Sequence, residues 1–313
     1  MAKKNYGKSL ALQHFYKSIE AEIRNYWQIN TSLIYSERWW NGIPEADLPA
    51  RITLFPGDNK TPFSSIDLPP KTYLANHNNV LQLTRENSIV NFITVFEVYL
   101  YNIVKRMMYL KPSLVGESEM PFEAKDIAEE MENNSVREWF AEKVTQKYIR
   151  NKSHLKMFKR LEQILKYQIN DPKDGLVEDW NNWTYVRNAI IHNGRETSED
   201  LVRVWNSRYS AVGTPLNLED ADVIKVPYIA MELAKKIDKI ILEKAIQNED
   251  AGLLVRELFV RNGTDEPQEL AKSVWNILNS RLGKPLVQKY LAYQKRTGAK
   301  IKGWRFTHYN FME

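Results

Sequence analysis

"TYVRNAIIHNG", Thr184 to Gly194, sets an arginine, an amide and one of the chain's five histidines in a run of helical character that stops at Asn-Gly. Working outward from it, Trp180, Trp183, Val186 and Ile190 recur at three- and four-residue spacing, the signature of a helix with one apolar stripe to bury. Residues four apart share a helix face, so Asn188 and His192 lie together while the stripe points elsewhere. Arg187 sits beside Asn188, and its long side chain reaches toward the histidine. Gly194 is suited to ending the helix, which leaves His192 in the last turn, where the negative end of the helix dipole favours a cation. A guanidinium, an amide and a titratable imidazole on one polar surface are the parts needed to bind a phosphodiester, move protons and offset charge at phosphorus. The same spacing also suits packing and capping alone: a histidine closing a helix and an arginine paired with an acid.

The flanks read as helix almost throughout. Leu10 to Ile29 carries Leu12, Phe15, Tyr16, Ile19, Ile23, Tyr26 and Trp27 at helical spacing, and Thr84 to Leu110 is a long, nearly all-round apolar helix ended by Lys111-Pro112. Residues 41–80 hold six of the thirteen prolines, Pro69-Pro70 among them, which predicts an irregular connection with short strand pieces near residues 51–55. Helices follow over 135–150 and 153–168, each opened by a serine placed to cap it. "NDPKDG" is a turn, the motif helix runs from Leu176 to Asn193, and a final long helix spans Leu218 to Gln247, with a further helical piece after Asp265. The expected fold is all-α, in three parts: an N-terminal helix with a Pro-rich extension (1–81), a bundle of about five helices (82–250) and a basic C-terminal extension (251–313).

Composition narrows the chemistry. Hydrophobic residues make up 43% of the 313 and charged ones 27%, a globular balance, and the absence of cysteine removes disulfides, thiol nucleophiles and cysteine metal sites. The reading is cytoplasmic, with no secretory leader, because the first thirty residues are studded with Lys, Arg and Glu. Ser88 to Val104 is greasy, but it is short for a membrane span and interrupted by Asn91, Glu97 and Asn102, so it reads as a buried core helix. Gly7-Lys8-Ser9 imitates the end of a phosphate loop without the preceding glycine or strand. His14, His77, His154 and His308 stand apart with no ligand spacing, so neither a metal nor a cofactor is expected.

Charge is unevenly spread. Residues 281–313 carry eight Lys or Arg against Glu313, which leaves the other 280 residues slightly acidic within a net charge of +5. Lys284, Lys295, Arg296, Lys300, Lys302 and Arg305 alternate with aromatics including Trp304, a pattern that suits RNA phosphates and exposed bases. The same aromatics also suit a small core with solvated lysines around it. Residues 143–160 hold seven further Lys or Arg.

"RNAIIHNG" resembles the motif of the HEPN superfamily (higher eukaryotes and prokaryotes nucleotide-binding), in which Arg, then a polar residue, then His appear late in an all-helical bundle. The likeness covers residues 84–247 and extends to "VFEVYL", where Glu97 follows Phe96 as an acid follows a large apolar residue in that family. The resemblance implies a metal-independent endoribonuclease working as a homodimer. Its product ends would be a 2′,3′-cyclic phosphate and a 5′-OH, with His192 as general acid or base, Arg187 on the phosphate, Asn188 positioning and Glu97 orienting Arg187. The HEPN toxins paired with a nucleotidyltransferase antitoxin carry a tyrosine two residues after the histidine; Gly194 stands there, so the chain is closer to stand-alone or phage-defence nucleases that cut tRNA or other RNA. An antitoxin or sensor is a further partner the family implies, and no membrane is. The alternative is a non-catalytic HEPN-like module that binds nucleic acid, nucleotide or protein.

Overall fold

The computed structural model describes residues 6–44, 47–48, 69–116, 122–132, 136–150 and 152–298. It is all-helical: 77% helix, with no strand among the described residues. The elements are α1 (Leu10–Trp40), α2 (Pro70–Leu110), a 3-10 turn (Pro112–Val115), α3 (Ala124–Glu132), α4 (Val136–Ile149), α5 (His154–Leu165), α6 (Leu176–His192), α7 (Glu199–Val204), α8 (Asp220–Ile241), a π turn (Leu242–Ile246), α9 (Glu249–Asn262), α10 (Pro267–Leu278) and α11 (Lys284–Thr297).

Several boundaries differ from the sequence reading. α2 begins at Pro70, fourteen residues earlier than its apolar run suggests, because Pro69-Pro70 starts the helix instead of breaking it. Proline's fixed φ and missing N–H cost nothing at the first helical position. The helix expected to end at Gln247 ends at Ile241, passes through the π turn, and is followed at once by α9. The strand pieces expected near residues 51–55 lie outside the described residues.

Two compact units divide the chain, one of residues 1–17, 95–181 and 229–313 and the other of residues 18–94 and 182–228. In the first, Phe96 of α2 is fully buried against Phe15, Phe158 and Trp180, with ring centroids 6.0, 6.3 and 4.5 Å away. Arg106, 1% exposed, is held there by Asp250 and by Glu257 at 2.9 Å, and these charges sit inside because each satisfies the others. α9, α10 and α11 enclose a cluster of Leu254, Leu258, Leu270, Val274, Val287 and Leu291, which Leu10 joins. Gly252 of α9 lies under Tyr290: a Cβ there would fall 2.1 Å from the ring.

In the second unit α1 and α2 pair beyond the core through Trp40 stacked on Tyr73 at 4.7 Å and His77 facing Glu37 at 3.6 Å. Deeper in this unit Tyr26 and Arg85 both bond the Asp220 carboxylate, at 2.5 and 2.8 Å. Arg208 is held by Asp222 and lies against Trp183, Trp205 and Tyr209, each ring centroid within 5.4 Å. By length and composition α2 is apolar enough to cross a membrane, and half of its most apolar window is buried inside the protein.

Candidate functional site

The motif helix α6 is built as its stripe requires. Asp174 caps its start by accepting from the Leu176 amide at 3.1 Å, and Trp180, Trp183, Val186 and Ala189 are buried. Ala189 takes the inner place expected of Ile190, which is half-buried. The helix closes with the amides of Asn193 and Arg195 both on the Ala189 carbonyl, at 3.1 and 3.2 Å, while Gly194 (φ 61°) and Arg195 (φ 69°) turn the chain in the left-handed region. Arg195 carries that strain with its side chain engaged: its Nε meets Glu86, a carboxylate 3% exposed, at 2.9 Å, and Gln82 donates to the same carboxylate at 3.1 Å. Sequence reasoning missed this pair. A φ above zero at a non-glycine was its one signal, and that signal is conformational.

The terminal turn therefore presents three polar side chains on a fixed backbone. Arg187 leans onto its neighbour, its Nη1 donating to the Asn188 Oδ1 at 3.1 Å, and its buried Nε has no acceptor among the described residues. Asn188 and His192 are exposed, and the His192 imidazole has no hydrogen-bond or ion-pair partner among the described residues. Such a surface has spare donors on the guanidinium, an open amide N–H and a free imidazole, the set that a phosphodiester would engage.

Glu97 belongs to the other unit, where its described partner is His154, Nε2 to Oε1 at 3.0 Å. Trp180 donates its indole N–H to the His154 Nδ1 at 2.6 Å. An N–H aimed at Nδ1 requires a lone pair there, so His154 carries its proton on Nε2 and donates to Glu97. His154 looked isolated in the sequence because its two partners stand 57 and 26 residues away. Among the basic C-terminal residues, Lys284 opens α11, Lys295 pairs with Asp265 at 2.6 Å, and Arg296 lies 5.8 Å from the Tyr293 ring. Lys300, Lys302, Trp304 and Arg305 lie outside the described residues.

A second concentration of chemistry lies at the start of α1. Asp238, 1% exposed, accepts from the Ser9 amide at 3.0 Å and from the Ser9 hydroxyl, and borders a cavity of about 410 Å³ shared with Tyr16, Lys8 and Lys239. Burial pushes its carboxyl up to about 7, against the pull of the Ser9 bonds and with the nearby Asp250 charge adding to the rise. Ser9 in turn caps α1 by accepting from the Leu12 amide at 3.0 Å, so Asp238 serves as an anchor for that helix. Among the described residues no three His, Asp or Glu side chains are grouped to hold a metal ion.

No protein-family model, curated protein or solved structure matches the chain.

Proposed function

We propose that the protein is a metal-independent endoribonuclease of HEPN type, with its chemistry on the last turns of α6. The observation that carries this reading is the polar trio on the last turns of a helix whose apolar stripe is buried: half-buried Arg187 laid on exposed Asn188, and exposed His192 unengaged among the described residues. In the proposed reaction the ribose 2′-OH attacks the adjacent phosphorus. The 2′-O–P bond forms, the P–O5′ bond breaks, one proton leaves the 2′-oxygen and one is delivered to the departing 5′-oxygen. His192 performs one of these transfers, and a second copy's His192 the other, in a symmetric dimer. Arg187 binds the nonbridging oxygens and offsets the charge that grows there, and Asn188 positions the phosphate or the imidazole. Ile191, 45% exposed beside His192, gives such a dimer an apolar surface to bury.

The substrate of this reading is RNA, tRNA being one candidate, and the setting is a bacterial toxin or anti-phage effector in the cytoplasm. Lys284, Lys295, Arg296, Lys300, Lys302, Trp304 and Arg305 supply electrostatic grip. Lys295 is free to contribute because its pair with Asp265 is exposed and held weakly. Glu97 has a supporting part through His154 and Trp180. The test is cleavage of total RNA with EDTA present, comparing the intact chain with His192→Ala and Arg187→Ala. The expected result is cyclic-phosphate ends from the intact chain and none from either variant, with each variant melting as the parent does. Full activity in either variant overturns the assignment. RNA binding without cleavage by the intact chain leaves the non-catalytic module.

A further inference from the structure

α4 and α5 form an open cleft of about 480 Å³ lined by Lys147, Tyr148, Lys152, Lys156, Lys159 and Arg160, together with Gln163. Five of these residues are cationic and none is acidic. Lys152, Lys156 and Lys159 have no ion-pair partner among the described residues. The acids nearest in sequence are committed elsewhere: Glu142 to Lys105 and Tyr101, and Glu162 to the amides of Ile169 and Asn170 at 2.7 Å.

The cations crowd onto the wrong end of a helix. α5 opens at Ser153, whose side chain makes no capping bond, and has no acid in its first turn, while Lys156 lies in that turn and Lys152 just ahead of it. Free N–H groups and the positive end of the helix dipole thus face added positive charge, an arrangement that costs stability unless an anion occupies the cleft. Arg160 is held in place for one. Its guanidinium lies 4.4 Å over the Tyr148 ring, donates to the Tyr148 hydroxyl at 3.0 Å and reaches Gln163 at 3.1 Å.

We infer that this cleft binds the phosphates of an extended RNA strand. Tyr148 is its one aromatic residue, and Arg160 covers that ring, so no stacking face or apolar slot remains for a base. A nucleotide site needs such a slot; a backbone track does not. From Lys156 to Gln163 the helix rises about 10 Å, room for about two or three successive phosphates. The choice of RNA among polyanions rests on the function proposed above; the binding itself does not depend on cleavage.

The experiment uses the full chain and a fluorescent 2′-O-methyl RNA oligomer, which has no 2′-OH to react, so binding is read apart from catalysis. Lys152→Glu/Lys156→Glu/Lys159→Glu is expected to weaken binding by more than about tenfold and to flatten the log Kd against log salt slope by about two, since each single-strand phosphate contact carries about 0.7. The melting temperature is expected to stay level or rise, because acids suit the start of α5. The matching Lys→Gln triple is expected to show the same changes, smaller. Single-stranded DNA of the same sequence is expected to bind within about threefold of the RNA. Unchanged affinity and slope in a folded variant overturns the proposal. So does lysine-dependent capture on phosphatidylserine vesicles with RNA binding untouched. An intact chain that binds the 2′-O-methyl RNA through these lysines yet cleaves no RNA would reject the catalytic reading and leave the cleft in place.

Discussion

Asp238 and His14 link folding stability to pH over overlapping windows, with opposite sign. Burial raises the Asp238 carboxyl from 3.8 to about 7, and burial, helped by the Arg106 and Lys17 charges, lowers the His14 imidazole from 6.5 to about 3. Between the two Asp238 values the folded chain keeps a proton that the unfolded chain has released, so folding stability falls as pH rises toward 7. Across about three pH units, at about 1.4 kcal/mol each, this amounts to on the order of 4 kcal/mol. His14 works the other way. Between its two values the unfolded chain holds the extra proton, so stability rises with pH up to 6.5, at a slope no steeper than that of Asp238. The two slopes oppose each other in the intact protein, and each substitution exposes the other. Asp238→Asn cannot release a proton, so wild-type stability minus that of the variant is expected to fall steadily from about pH 4 to pH 7. For His14→Gln the same difference is expected to rise. Other shifted groups, such as Glu257 raised by burial and Asp220, where burial raises the carboxyl but the Tyr26 and Arg85 bonds and the Arg85 charge together outweigh it and lower it, are common to all three proteins and drop out of the differences. Urea unfolding followed by tryptophan fluorescence at a series of pH values reads the curves. A flat or rising difference for Asp238→Asn would show that its carboxylate is charged at neutral pH, with the Ser9 bonds outweighing burial.

Gly252→Ala drives a methyl into the Tyr290 ring and is expected to lower stability by about 1–3 kcal/mol by calorimetry, with Tyr290→Ala in the same chain recovering part of the loss. Arg106→Met leaves Asp250 and Glu257 buried without their cation, an expected loss of about 3–5 kcal/mol in thermal unfolding, reduced when both acids are also replaced by isosteric apolar or amide residues. Sedimentation at micromolar protein is expected to show a dimer, and Ile191→Glu to shift it toward monomer with parallel loss of RNA cleavage; a fully active monomer refutes the composite site.

The helices with strong apolar periodicity were legible because burial dictates their composition. Trp180, Trp183 and Val186 of the α6 stripe, the end of α2 at Leu110 before Lys111-Pro112, and the turn at residues 170–175 appear where the sequence puts them. The first part of α2 was hidden. Residues 70–83 mix polar residues with scattered apolar ones and, Pro70 and His77 aside, are exposed or half-buried, so no stripe announced them. α9 was hidden for the opposite reason: Asp250, Arg256 and Glu257 look solvent-facing on paper and are buried, because Arg106, about 150 residues earlier, and Gln294 of α11 receive them. Long-range pairing of charge leaves no periodic trace. At the site, the spacing of Arg187, Asn188 and His192 was readable, while the Arg195–Glu86 pair that fastens the turn beyond them was not.

Two histidines show why residue type alone does not mark a catalyst. His154 and His192 both stand near acids or arginines in sequence, yet their environments are opposite. His154 is 5% exposed with both ring nitrogens engaged, Nδ1 by the Trp180 N–H and Nε2 by Glu97. To shuttle a proton it would have to give up a buried hydrogen bond, at a cost of about 1–3 kcal/mol at each step. His192 is exposed on the terminal turn with neither nitrogen engaged among the described residues, so no hydrogen bond within the protein has to be broken for it to reach a substrate. The prediction separates the two. His154→Phe keeps an aromatic ring, somewhat larger than the imidazole, but removes the acceptor from the Trp180 N–H, and is expected to lower the unfolding free energy by about 1–3 kcal/mol while RNA cleavage below its melting temperature persists. His192→Ala is expected to do the reverse, leaving unfolding within about 0.5 kcal/mol of the parent and abolishing cleavage. If His154→Phe is stable yet inactive and His192→Ala is active, the proton-transfer group lies at the Glu97–His154–Trp180 chain, and Arg187, Asn188 and His192 do no more than close and solvate the end of α6.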